Sequence, residues 1–232
     1  VWKSSIEGRQ LHFHLAGINN QNFIMRDEET GSWWQQASGE AITGSLRGAQ
    51  LEPVPYDEVT FKIWKAENPG GRILRPDAQA QASGEYASAD WEVEMAMVPV
   101  VTPAIDQRLE PRALVIGIVI DSESKAYPLD ALRQKSPVID SLGETPLLIL
   151  VGRDGKSVRA FDRTVDNAAL DFYALPDSAT LRIVDAETGS EWDFTGRAVS
   201  GALQGRELRK VAVLPDYWFD WKTYHPNTQV FE

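Results

Sequence analysis

The chain has 232 residues, 43% of them hydrophobic and 25% charged, with a net charge of -11. That composition suits a globular protein long enough to bury a real core, and its acidity argues against the clustered Lys and Arg on which nucleic-acid binding depends. The lack of cysteine removes disulfides, thiol nucleophiles and thiolate metal sites from these residues, and no apolar run approaches the roughly eighteen residues that span a bilayer.

In chain order, Leu11, Phe13 and Leu15 first alternate with His12 and His14, a period-2 pattern that predicts a strand with one buried face. The acidic DEETGS then lies between apolar runs and predicts a hairpin turn in which Asp27 and Glu29 bond the local backbone. EAITGSLRGAQLEPV has short apolar pairs punctuated by glycine, as brief strands joined by tight turns require. Between Asp57 and Glu67, Val59, Phe61, Ile63 and Trp64 suit a short amphipathic helix that ends before Pro69. Residues 76–112 form a connector, in which PDAQAQASGEYASAD is small and polar and WEVEMAMVPVVTP is read as an extended edge segment. LVIGIVI and PLLILV are continuous apolar runs of the kind buried strands show, with one or two helical turns between Pro128 and Gln134. Near the end, Asp216 to Tyr224 carries Trp218, Phe219 and Trp221 ahead of Pro226, as a counterpart to the Trp64 helix.

Much of this is written twice. DEETGSWW at 27–34 returns as DAETGSEW at 185–192, placing Asp27, Thr30, Gly31, Ser32 and Trp34 on Asp185, Thr188, Gly189, Ser190 and Trp192. After a one-residue gap, Gly39, Ala41, Gly44, Leu46, Gly48 and Leu51 fall on Gly196, Ala198, Gly201, Leu203, Gly205 and Leu208, and Trp64, Lys65 and Pro69 fall on Trp221, Lys222 and Pro226. Identity at roughly a third of the aligned positions marks an internal duplication. The expected architecture is mainly β with a minor helical part: two homologous β-rich lobes with short helices, related by a pseudo-twofold duplication. The first lobe spans 1–75, the connector 76–112 and the second lobe 113–232. Val1 and Trp2 align with Ala160 and Phe161, so against the second copy the first is expected to lack about forty-five opening residues.

The segments VIGIVIDSESKAYPLDAL, RAFDR, DAETGSEW, TGRAVSGALQGREL and WKTYHPNTQVF, with DEETGSWWQQASGEAITGSLRGAQLEPV and the Trp64 helix, resemble the bacterial and archaeal "domain of unknown function 3179" family. The resemblance covers nearly the whole chain except the connector. It implies an exported or membrane-associated protein, often with duplicated copies, and it implies no known activity. Members commonly carry Cys-x-x-Cys a few residues before the segment matching AFDR. Here Gly152 and Gly155 hold those positions, and in the first copy the element would fall ahead of Val1.

Several residues invite a functional reading. His12 and His14, two apart on a strand, would point to one face and are weak metal candidates, though solvent-facing alternation explains them equally well. Trp34, Trp192, Trp64 and Trp221 are read as core anchors, since repeats preserve packing positions. Asp162 and Arg163 of AFDR are expected to form an ion pair or a turn. Gln35, Gln36 and Glu40, beside Trp33 and Trp34, stand where the second copy has Asp193, Phe194 and Arg197, and such divergence is where a function confined to one copy would sit. No nucleophile elbow, phosphate loop, dinucleotide fingerprint or metalloprotease motif is present. These observations lead to the expectation of a non-enzymatic extracytoplasmic binding or accessory protein, a peripheral subunit of a membrane-associated assembly with protein partners and no cofactor in these residues. Its candidate binding residues are His12, His14, Trp33, Trp34, Gln35, Gln36 and Glu40. Two rival readings are a redox or metal-dependent enzyme, whose Cys-x-x-Cys precedes Val1 and whose cleft is bordered by Trp2, His12, His14 and Trp33, and a small-molecule module built on Trp33 and Trp34.

Overall fold

Short apolar runs punctuated by glycine fold into small antiparallel ladders, and the chain is built from several of them. The computed structural model describes every residue except 20, 21, 85, 87, 89, 101–105 and 176–179. Strand outweighs helix by 39% to 14%, so the protein is mainly β.

A hairpin of β1 (Ser5–Ile6) and β2 (Arg9–Gln10) leads into a four-stranded meander of β3 (Phe13–Asn19), β4 (Asn22–Asp27), β5 (Trp33–Gln35) and β6 (Ala41–Thr43), paired in that order. Leu11, Trp34, Ala41 and Leu51 form its core, with Trp2, Ile6, Phe13 and Met25 packed around them. The alternation expected from Leu11 to Leu15 stops at Phe13. The β3–β4 register slips between Leu15 and Gly17, and Leu15 turns outward, 62% exposed.

Three helices follow: α1 (Phe61–Glu67), α2 (Ala78–Ala82), whose first turn is capped by the Asp77 carboxylate, and α3 (Trp91–Met97). The edge segment expected over 91–103 is thus corrected to a helix through Met97. Met, Ala and Glu are good helix formers, and Trp91, Val93, Met95 and Met97 alternate without any strand to pair with. The end of that segment, 101–103, lies outside the described residues.

The rest of the chain opens with β7 (Leu114–Ile120), β8 (Glu123–Pro128), α4 (Leu129–Lys135), β9 (Val138–Leu142), β10 (Thr145–Val151) and β11 (Val158–Asp162). A hairpin of β12 (Thr164–Val165) and β13 (Ala168–Ala169) precedes a second meander, β14 (Phe172–Ala174), β15 (Arg182–Asp185), β16 (Glu191–Asp193) and β17 (Ala198–Ser200). Then come β18 (Arg209–Val211), β19 (Leu214–Tyr217), α5 (Trp218–Tyr224) and β20 (Gln229–Val230). These complete two more sheets, β18-β11-β10-β9 and β19-β7-β8-β20, in which β20 runs parallel to β8.

The run PLLILV is apolar throughout because β10 is buried on both faces. Leu147, Ile149 and Val151 join Ile116, Ile118, Tyr127 and Leu132 in one cluster, while Leu148 and Leu150 join Phe161, Phe172, Trp192 and Phe194 in another. In LVIGIVI the middle residue is set by a ring. A Cβ on Gly117 would fall inside the Trp221 indole, so α5 lies directly on the β7 backbone. No described helix is long and apolar enough to cross a membrane.

Candidate functional site

The repeated acidic turns come first, because their chemistry is structural. Asp27 Oδ2 accepts the Trp34 indole N–H at 2.8 Å, and Asp185 Oδ2 accepts that of Trp192 at 2.9 Å. Thr30 and Thr188 donate backbone N–H groups to the same two aspartates at 2.5 and 2.6 Å. Ser32 and Ser190 accept from Leu46 and Leu203 across each meander. Burial pushes Asp27 and Asp185 up, but the indole, threonine and serine donors outweigh it and hold both below the usual carboxylate range. Each aspartate bonds its turn's backbone, as the sequence led one to expect, and in addition ties a fully buried tryptophan to that turn.

The other residues singled out from the sequence scatter. His12 is exposed, with Nδ1 2.6 Å from Glu29 Oε1, a hydrogen bond that raises the imidazole above its ordinary value. His14 is also exposed, opposite Arg26 in the β3–β4 ladder. Trp33 lies 38% exposed on the outer face of β5, while Trp34 is wholly buried. Glu40 is exposed and bridges Gln50 through its backbone. Two of the seven meet at one place: Gln35, buried, donates to the Tyr224 hydroxyl at 3.1 Å, and Gln36 lines the adjoining cleft. Asp162 and Arg163 do not pair with each other. They sit on successive positions that point apart, and each finds a distant partner, Arg209 at 2.7 Å and Asp171 at 2.8 Å. Trp64 departs from its expected role as well, half-buried and stacked on Phe61 at 5.7 Å. Among the described residues no group of three or more His, Cys, Asp or Glu is gathered to hold a metal.

The cleft arises from the way the two closing helices are placed. The first copy's α1 packs on the second meander. Val59 and Ile63 join the cluster of Phe161, Trp192 and Phe194, and Ile63 reaches so close to Gly152 that a Cβ there would sit 2.9 Å from it. Thr60 accepts no side-chain cap but donates to Ser157 Oγ and Asp154 Oδ2 at 2.9 and 2.6 Å. Arg159, 4% exposed, donates to Asp57 at 2.9 Å and Glu67 at 2.7 Å while lying over the Phe194 ring. Gly152 is therefore used here for packing α1.

Reciprocally, α5 of the second copy faces the first meander. Asn22 donates to Asp220 Oδ2, and Tyr224 meets Gln35. By the register that sets Trp64 on Trp221, Asp216, Asp220 and Tyr224 occupy the positions of Val59, Ile63 and Glu67, and by the register that sets Trp34 on Trp192, Gln36 occupies that of Phe194. The apolar contact of one side thus becomes a polar one on the other, and it does not close. A cavity of about 1070 Å³ remains, walled by Trp2, Phe13, Gln36 and Tyr56 on one side and by Asp216, Asp220 and Trp221 on the other.

Its electrostatics are unusual. Burial, reinforced by the charge of Asp220, pushes the Asp216 carboxyl up to about 8, against a single backbone N–H from Tyr217 at 2.7 Å. Burial pushes Asp220 up to about 6, with Asn22 opposing. Among the described residues Asp220 Oδ1 is buried without a hydrogen-bond partner. His225, stacked on Trp221 at 3.9 Å between ring centroids, is held below its ordinary value by burial. Burial and the two aspartates raise Tyr224. At neutral pH this arrangement offers one carboxyl that favours its protonated form and one that favours its ionised form against aromatic walls, and so can both donate and accept hydrogen bonds.

The chain matches the family model described as "protein of unknown function (DUF3179)" over residues 1–228. It belongs to that family. No curated protein and no solved structure matches it. The family carries no assigned reaction, so the argument for function rests on the cleft. Asp216, Asp220 and Tyr56 were missed in the sequence because each reads alone as an ordinary surface residue. The signal was the mismatch between copies, two carboxylates four apart where the duplicate has Val59 and Ile63.

Proposed function

We propose that this member of the family is an extracytoplasmic binding protein, an accessory of a membrane-associated assembly, that holds a small molecule in the cleft between α5 and the first meander. The exported setting is drawn from the character of the family. The binding role is supported by the cleft itself, which has the size of a small-molecule site and the usual mixture of apolar wall and few convergent polar groups. The observation that carries the reading is the placement of Asp216 and Asp220. Buried carboxylates without a cationic partner destabilise a fold, and the duplicate position shows that valine and isoleucine serve the same helix placement without that penalty. A group that is costly to the fold and replaceable by an apolar one is accounted for by what it binds.

The test is to purify the protein from its own source and examine it by native mass spectrometry, beside a Gln36→Phe variant that puts the second copy's residue into the cleft. The expected result is one small molecule retained per wild-type chain and none on the variant, with unchanged circular dichroism. Retention that survives the filled cleft, or an empty wild-type chain, overturns the reading.

A further inference from the structure

Among the residues that wall the cleft, Asp121, Asp216 and Asp220 are acidic, and none is Lys or Arg. Asp220 is 7% exposed, with Oδ2 engaged by Asn22 and Oδ1 buried without a partner among the described residues. The missing partner must be a donor once Asp220 is ionised, because a carboxylate only accepts. Among the described residues no resident base bonds that oxygen, and burial disfavours the charged forms of the two that line the cleft, the Val1 amino group and His225, the latter stacked on Trp221. The opposing walls supply the rings of Trp2, Phe13, Tyr56 and Trp221, surfaces that attract a cation and bury an apolar group alike.

We infer that the cleft takes a small organic cation, a protonated primary or secondary amine with an apolar tail, whose N–H groups donate to Asp220 Oδ1 and Asp216. This rests on the cleft being a ligand site. The chemistry favours an amine over a metal ion, since two carboxylates, one of them already bonded to Asn22, make a poor oxygen cage. It favours an amine over a neutral hydroxyl ligand because only a cation compensates both carboxylates in a site without Lys or Arg. Seating the ammonium group requires both carboxyls to be ionised, so binding expels the proton that the empty cleft holds on Asp216. The other titratable groups on the cleft or acting on the pair are the Val1 amino group, Tyr56 with Glu58 beside it, Asp121, Tyr224 and His225; burial raises Tyr56, Glu58 and Tyr224 and lowers the Val1 amine and His225, disfavouring the charged form of both bases.

The experiment is titration calorimetry of the whole chain with 2-phenylethylamine and n-butylamine, beside the neutral isostere 2-phenylethanol and calcium chloride. The expected result is that 2-phenylethylamine binds about tenfold or more tighter than the alcohol, with affinity rising as the pH is raised through 6 to 8 and one proton released on binding. Asp220→Asn and Asp216→Asn should each abolish the preference while leaving alcohol binding in place. Equal binding of amine and alcohol overturns the cation and leaves the cleft standing as a ligand site. Calcium alone displacing the amine overturns it in favour of a metal. Failure of all four probes to bind overturns both the cation and the cleft reading.

Discussion

The two closing helices, α1 and α5, hold equivalent places on opposite meanders and reach them by opposite chemistry. At the α1 contact, Val59 and Ile63 are sunk among aromatic rings, and the one buried charge, Arg159, is neutralised by Asp57 and Glu67. At the α5 contact, the corresponding positions are Asp216 and Asp220, no cation answers them, and a cavity of about 1070 Å³ separates the surfaces. The difference teaches that one contact is optimised for holding the molecule together and the other is kept open at the expense of stability.

The comparison can be broken most severely at Arg159. Arg159→Met leaves Glu67 facing an apolar surface and Asp57 with Lys210 alone, and the expected loss is about 3 kcal/mol, near the bottom of the range for a broken buried pair, because each carboxylate keeps about a quarter of its side chain exposed. Urea unfolding that shows no change of midpoint would remove the claim that this contact is structural.

A smaller effect of opposite sign is expected from converting the second contact into the first. The double variant Asp216→Val, Asp220→Ile should be more stable than the wild type by about 1–2 kcal/mol at pH 8, and the gain should vanish in acid. The sign follows from linkage. The folded-state carboxyls titrate at about 8 and about 6, above an ordinary aspartate value of 3.8, so in the intervening range the unfolded chain has already lost protons that the folded chain still binds. The contribution of this pair to wild-type stability is therefore full below pH 4 and falls as the pH rises to 8, while the variant lacks that decline. Unfolding curves at pH 4.5, 6 and 8 that run parallel for the two proteins would contradict the assignment.

The least effect is expected at His12. Its pairing with Glu29 raises the imidazole, so any contribution is present in acid and lost as the pH rises through the folded value, but the ring is open to solvent. His12→Ala should leave the unfolding midpoint unchanged within error at pH 5.5 and at pH 8, and a clear loss at the lower pH would show that this exposed pair matters.

The sequence was most readable where one local rule decides the outcome. LVIGIVI and PLLILV became β7 and β10 because unbroken apolar runs have no face to turn to water, and the DEETGS and DAETGS turns bond their own backbone as their composition demands. It was misleading where two periods fit: Trp91, Val93, Met95 and Met97 alternate as a strand would, yet helix-forming Glu, Met and Ala decided the matter. The cleft was least legible. Gln36 was singled out by divergence between the copies, but half-buried Asp216 and buried Asp220 are brought to the cleft by β19 and α5, and Asp220 meets Asn22 of the other copy's meander, a long-range event with no local trace.

That crossing has a consequence for how the halves belong together. Of the stretch 76–112 expected to join the copies, Leu109 alone among the described residues packs against one of the four core clusters. Each closing helix makes its contact with the meander that lies further from it in the chain, α1 with the second and α5 with the first. The faces of α1 and α5 are each held in register by a partner encoded more than ninety residues away, and the end of the join is itself tied down, Asp106 accepting from the Trp218 indole and Arg108 lying over its ring.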